Sequence, residues 1–305
     1  MTTGDVILLP GGLRAVGHDE LLVLAGETAS GKTALAVSLA KQHGGEIVGA
    51  DSVQVHRRFD IGSGKPTAAE LDGVPHHLLD VADAKHPIDA GRFVELADAA
   101  IADVRARGRV PIVCGGTYLW IKALLFGLAA APSAPPELRA SLQEEAARLG
   151  SPALHARLAE VDAATAARLH PNDAVRIVRA LEVQATTGRT LSSWQAEHGF
   201  REVRHRARLV ALARPRQELE ERIALRVDRM LTAGLVEETR VLVDDGYAET
   251  RPMKAVGYAE ATAHLRGELD AASLAPKITR ATRIVARRQR TWLKGANVEW
   301  IPTTG

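Results

Sequence analysis

A single cysteine, Cys114, is the only thiol in this chain. That excludes an internal disulfide framework and suits a reducing, cytoplasmic compartment. Long apolar runs are also missing. No stretch of about eighteen uninterrupted apolar residues occurs, so no membrane span is expected. The first twenty residues, MTTGDVILLPGGLRAVGHDE, have neither a basic start nor a long apolar centre. They do not read as a signal peptide, but as a short extension before the first core strand. Net charge is nearly absent: 39 Lys and Arg stand against 37 Asp and Glu, giving +2, which is too little to identify a partner. Internal repeats and low-complexity tracts are not evident. What is present is ordinary for a globular protein, 46% hydrophobic and 25% charged. The length of 305 residues allows one large domain or two smaller ones.

The most specific local signal is Gly26-Glu27-Thr28-Ala29-Ser30-Gly31-Lys32-Thr33, which fits G-x-x-x-x-G-K-[ST]. Its context is right. Leu21 to Ala25 is a short apolar run, as in a buried parallel strand, and Leu35, Ala36, Leu39 and Ala40 follow at helical spacing. Strand, glycine loop and helix together make a cradle in which backbone N–H groups and the helix N-terminus face an anion. Gly26, Thr28, Ala29, Ser30, Gly31, Lys32 and Thr33 are therefore expected to bind a di- or triphosphate, with Thr33 reaching a Mg²⁺ ion. The motif alone does not make the ligand ATP.

Further along, strand-like and helix-like segments alternate: GEIVGADS ending near Asp51, HHLLDV, the amphipathic FVELADAAIADVRARG, and RVPIVCGGT. This pattern implies a parallel α/β sheet. Gly26, Asp51, His76-His77 and Gly115-Gly116-Thr117 all fall near strand carboxyl ends, where such sheets bind ligands. Adjacent histidines on a strand point to opposite faces, which argues against a metal pair. From about residue 128 the character changes. APSAPPELR is a proline-rich boundary, residues 137 to 197 read as helices, and a strand pattern returns at RARLVALARP. We expect a P-loop core with a parallel β-sheet flanked by helices, plus an inserted all-helical subdomain. The expected divisions are 1–127, 128–200 and 201–305. The helix QELEERIALRVDRMLTAG should stop at Gly234.

Residues 276 to 294 carry seven Lys or Arg and no acid. On a helical projection Arg280, Arg283, Arg287, Arg290 and Lys294 form one stripe, opposite Ile278, Val285 and Trp292. Such a rail fits a nucleic-acid backbone; a solvated face is the plain alternative. Arg176 and Arg179, three apart on another helix, could grip RNA or form a surface ion pair.

Taken together and in order, these segments resemble the tRNA dimethylallyltransferase (tRNA isopentenyltransferase) family. The loop GETASGKT stands for a family form near GPTASGKT. DSVQVHR (51–57), DIGSGKP (60–66), HHLLD (76–80), GGTYLW (115–120), NDAVRIVRALEV (172–183), KAVGY (254–258) and ARRQRTWL (286–293) follow colinearly. The likeness covers roughly residues 20 to 295. Glu27 replaces the usual proline, His56 a tyrosine and Tyr118 a glycine; these should modulate binding rather than abolish activity.

The resemblance implies transfer of a dimethylallyl group from dimethylallyl diphosphate to N6 of the adenosine 3′-adjacent to the anticodon. The leaving diphosphate needs a cationic cradle, supplied by the loop with Mg²⁺ and, by resemblance, by Thr117 and Arg226. The weakly nucleophilic adenine amine needs a carboxylate to take its proton, and Asp51 is placed for it; a magnesium-side carboxylate is the alternative. The base must also leave its stack. Contacts to the tRNA anticodon stem-loop are expected from Asp51, Ser52, Val53, Gln54, Arg139, Arg176, Arg179, Lys254, Gly257, Tyr258, Arg283, Arg287, Arg288 and Arg290. A cytoplasmic monomer is expected. Rival readings are a P-loop small-molecule kinase, an adenylate isopentenyltransferase and a non-enzymatic RNA-binding module. The last leaves Lys32, Asp51 and Thr117 without a purpose.

Overall fold

The computed structural model describes residues 6–303 except 12 and 18. Two compact units result: residues 1–125 with 204–305, and residues 126–203. The larger unit is built on a six-stranded sheet. Its strands are β3 (Leu21–Ala25), β4 (Gly45–Ala50), β5 (His76–His77), β6 (Val110–Gly115), β7 (Ala207–Ala213) and β8 (Glu299–Pro302). They lie in the order β5-β4-β6-β3-β7-β8. Every pairing in the sheet is parallel. The central strands are apolar along their length because both faces are covered, and Leu21, Leu22, Val23 and Val113 have no exposed surface.

Register places the site. Ala25 and Ala50 both lie beside Gly115. Gly26, Asp51 and Gly116 therefore leave the sheet side by side at its carboxyl edge.

Two expectations are corrected here. The stretch read as an N-terminal extension contains an antiparallel pair, β1 (Val6–Ile7) and β2 (Val16–Gly17). Ile7, Leu9 and Val16 join the core under the sheet; residues 1–5, 12 and 18 of that stretch lie outside the described residues. HHLLDV yields only the two-residue β5, because Leu78 and Asp80 take positive φ (64° and 55°) and turn the chain away.

Helices of the larger unit are α1 (Lys32–His43), α2 (Ala68–Leu71), α3 (Ala90–Ala106), α4 (Tyr118–Phe126), α10 (Arg216–Thr232), α11 (Leu235–Asp244), α12 (Tyr258–Leu265) and α13 (Ala271–Lys294). α3 shows why this pattern folds. Asp89 caps it by accepting from Arg92 N at 2.8 Å. Phe93, Ala97, Ile101 and Val104 then form its buried stripe. α10 ends at Thr232, just before Gly234. α13 begins earlier than Pro276 suggests, because Asp270 caps it at Ser273 N.

The smaller unit holds α5 (Pro136–Leu149), α6 (Ser151–Val161), α7 (Ala163–Ala166), α8 (Ala174–Thr187) and α9 (Leu191–His198). They close over Leu142, Leu154, Leu158, Ile177 and Leu181. Among the described residues no helix is long and apolar enough to cross a membrane.

Candidate active site

The phosphate loop runs from Gly26 to Gly31, between β3 and α1. It turns by way of two left-handed residues, Ala29 (φ 63°) and Gly31 (φ 93°). Gly31 does this at no steric cost, whereas Ala29 is strained. Two guanidiniums hold the strained turn: Arg222 donates to Ala29 O at 2.8 Å, and Arg214 donates to Ser30 O. Inside the loop Lys32 Nζ donates to Glu27 O at 3.3 Å. Burial pushes the Lys32 pKa down, opposed by Cys114, Asp51 and Glu27. Cys114 beside it is core, its thiol pushed up to about 11 by burial. Ser30 Oγ is buried with no partner. An unsatisfied hydroxyl in a loop of amides suits an oxygen-rich anion.

Asp51 follows β4. Its Oδ1 accepts from Val53 N at 2.9 Å and Gln54 N at 3.2 Å, an Asx turn that fixes the carboxylate. Among the described residues Oδ2 accepts no hydrogen bond. Thr117 crosses from the next strand: its N donates to Ala50 O at 3.1 Å, and its Oγ1 accepts from Ser52 N at 3.0 Å. Arg226 of α10 donates to Ser63 O at 3.1 Å. Its guanidinium lies so close over Gly64 that a Cβ there would collide with it. Burial lowers the Arg226 pKa, and Asp51 opposes that shift. Beside these groups a cleft of about 470 Å³ is lined by Lys32, Thr33, Arg222 and Arg226, with Leu225 and Met230 as apolar wall. No cluster of three His, Cys, Asp or Glu among the described residues could hold a metal. A hard cation here would take the Thr33 hydroxyl together with ligand and water oxygens, a donor set that suits Mg²⁺.

α13 contributes what the sequence pattern did not reveal. Gln289 accepts from Thr28 N at 2.8 Å and donates to Gly116 O at 3.1 Å, so one amide ties the phosphate loop to the Gly115-Gly116-Thr117 segment. As the only neutral amide in the basic run, it was the residue able to bridge a donor and an acceptor. The Thr28 amide is consequently engaged by Gln289. Arg290 is also engaged, donating to Glu27 Oε2 at 3.0 Å and to Arg214 O at 2.9 Å. Its assignment to a free basic rail is corrected: the phosphate loop docks on that side of the helix. Tyr118 stacks on Trp292, ring centroids 4.3 Å apart.

Other expected contacts fall as follows. Tyr258 is fully buried, its OH donating to Glu238 at 2.6 Å. Glu238 in turn accepts from Ile61 N and Gly62 N. Tyr258 thus buttresses the 60–64 turn under Arg226, and burial rules out direct tRNA contact. Gly257 is buried beside it, whereas Lys254 is exposed. Gln54 donates to Ser63 O and Gly64 O, and so supports the same turn; Ser52 and Val53 stay half-buried at the Asp51 turn. His77 is corrected out of the cleft. It meets Glu46 at 2.7 Å near the start of β4, about 16 Å of strand from Asp51. Arg107 holds that buried carboxyl at about 2. In the helical unit Arg139 grips the buried Glu182 through two bonds of 2.6 and 3.0 Å. Arg179 donates to Ala131 O and Pro132 O, and Arg176 pairs with Asp173 at 2.7 Å. Arg283, Arg287 and Arg288 are exposed on α13. With Arg216 and Arg280, the first two line a groove of about 450 Å³.

His56 is 1% exposed and its Nδ1 has no partner. Burial, aided by Arg251 and Lys65, lowers its pKa from 6.5 to about 4. The native state therefore binds fewer protons between those values. The contribution is complete above pH 6.5 and fades as pH falls through about 4. Denaturant unfolding at pH 5 should show about 2 kcal/mol less stability from this group than at pH 7. A His56→Gln variant with an undiminished pH slope would dismiss this account.

A doubly flanked parallel sheet with a phosphate loop, a fixed carboxylate and converging guanidiniums at one edge defines an enzyme of phosphorylated substrates. The sequence model of the IPP transferase family matches residues 54–296, and the chain belongs to that family. A tRNA dimethylallyltransferase of Sorangium cellulosum (strain So ce56) is 57% identical over 282 residues, covering 92% of this chain and 90% of that protein. One from Myxococcus xanthus (strain DK1622) is 47% identical over 274 residues, covering 90% and 89%. The crystal structure of a full-length tRNA isopentenylpyrophosphate transferase from Bacillus halodurans matches with TM-score 0.69 at 35% identity, covering 93% and 90%. A eukaryotic dimethylallyltransferase acting on tRNA matches with TM-score 0.79 at 25% identity, covering 93% and 74%.

Proposed function

We propose that this protein transfers a dimethylallyl group from dimethylallyl diphosphate to N6 of the adenosine 3′-adjacent to the anticodon of tRNA, releasing diphosphate in the cytoplasm. One observation carries the reading: Asp51, with Oδ2 open, leaves β4 beside Thr117, which follows the strand that separates β4 from the phosphate-loop strand, and it acts electrostatically on Lys32 and Arg226. A kinase also uses a carboxylate as proton acceptor; what favours prenyl transfer is the apolar wall of Leu225 and Met230 beside the cradle, together with the family match. In this reading the cleft takes the diphosphate against Lys32, Thr33 and Arg226 and the prenyl tail against Leu225 and Met230. Mg²⁺ on Thr33 would neutralise charge on the diphosphate. Asp51 Oδ2 accepts an N–H of the extruded adenine, orients the amine and receives its proton as the N–C bond forms and the C–O bond breaks. Lys32 and Arg226 meet the charge that grows on the leaving oxygen. The direct test is incubation with unmodified tRNA, AMP and dimethylallyl diphosphate, followed by mass analysis of the tRNA nucleosides and of the free nucleotide. A dimethylallyl adenosine is expected; unmodified tRNA with a prenylated free nucleotide would favour the adenylate enzyme.

The exposed stripe carries the tRNA part of the proposal. Replacing Arg280, Arg283 and Arg287 together by Gln should raise the KM for tRNA. It should also flatten the log–log salt dependence by about 0.7 to 0.9 for each phosphate no longer neutralised. Arg290 is left intact because it holds Glu27. Affinity for dimethylallyl diphosphate should stay unchanged. An unaltered salt slope in a folded variant would make the stripe a solvated face.

A further inference from the structure

Glu27 is an acid in a loop that must receive an acid. Its carboxyl is 3% exposed and belongs to the phosphate loop itself. A buried carboxylate there both costs desolvation and repels an incoming diphosphate, unless a cation is fixed against it. That cation is present. Arg290 reaches in from α13, its Nε 3.0 Å from Glu27 Oε2, while its Nη2 is held by Arg214 O at 2.9 Å. The same Arg214 donates to Ser30 O in the loop, and Lys32 donates to Glu27 O. The pair therefore sits where three supports of the loop meet, next to the Gln289 bridge.

We infer that Glu27 and Arg290 act as a positioning pair, Arg290 cancelling the Glu27 charge and locking the loop in its anion-accepting shape. The inference rests on the reading of this loop as the diphosphate site. It assigns Arg290 to the diphosphate half of the reaction rather than to the tRNA rail.

The test is a double-mutant cycle read by calorimetric binding of inorganic pyrophosphate with Mg²⁺, in the full-length protein and without tRNA. R290Q should weaken pyrophosphate about ten-fold or more, because a buried carboxylate is left unpaired beside the anion. E27Q should bind at least as tightly as the wild type, and E27Q/R290Q should lie within about three-fold of E27Q. The loss caused by removing Arg290 thus disappears once residue 27 is neutral. A merely structural role would change the melting temperature without this charge-dependent coupling in affinity. If R290Q does not fold, the comparison of E27Q with E27Q/R290Q decides. Equal affinities support the pair, and a ten-fold loss overturns it, because Arg290 would then serve the ligand directly. An unchanged affinity in folded R290Q also overturns it. Intact coupling in a protein that does not prenylate tRNA would refute the proposed reaction and leave the pair standing.

Discussion

Lys32→Ala should lower kcat/KM for dimethylallyl diphosphate by about 10²- to 10³-fold, while tRNA affinity stays within about two-fold. The ammonium is aimed at the loop interior, donating to Glu27 O, and is desolvated there. A cation already stripped of water has no hydration shell to give up when charge develops on the leaving oxygen. Truncation therefore removes transition-state stabilisation that solvent does not replace. The exposed cations of α13 that could meet tRNA are on a different element and are untouched. Pyrophosphate calorimetry, together with filter binding of tRNA, separates the two effects. Equal losses in both would defeat the division into a diphosphate site and an RNA surface.

The parts of this site that could be read in the sequence are those fixed by local pattern. A short apolar run, a glycine loop and a helical repeat within 20 residues dictate the cradle, because backbone geometry there depends on neighbours in sequence. Asp51 and Gly115 were legible as strand ends, and β-sheet register then brings them together. The supports of the loop were not legible. Arg214, Arg222 and Gln289 reach it across 184, 193 and 261 positions. No periodicity encodes such contacts; each is one long side chain meeting one carbonyl or amide after the sheet and helices have packed. Tyr258 shows the converse failure. Its motif suggested a ligand contact, but Phe59, at 5.2 Å between ring centroids, and Glu238 make it part of the core. For Arg290 the helical projection found the right stripe, yet it could not show that the loop covers one end of that stripe.

Asp51→Asn should leave both substrates bound and slow the chemical step by about 10²-fold or more. The substitution is close to isosteric. An asparagine Oδ1 can still accept from Val53 N and Gln54 N, so the turn that positions the side chain survives. What changes is the other atom: Oδ2, which accepts no bond among the described residues, becomes an amide nitrogen. That group donates where the adenine amine also donates, and it has no basicity to take the proton. The electrostatics point the other way for the diphosphate. Asp51 acts on both Lys32 and Arg226, so removing its charge leaves the cradle more positive. Pyrophosphate affinity should therefore hold or rise while the rate falls, an opposition that a misfolded site does not produce. Rapid-quench single turnover, with both substrates pre-bound and Mg²⁺ varied, reads the step. A rate within about three-fold of the wild type would remove Asp51 from proton transfer. A diminished rate recovered by raising Mg²⁺ would instead make it a carboxylate that serves the metal.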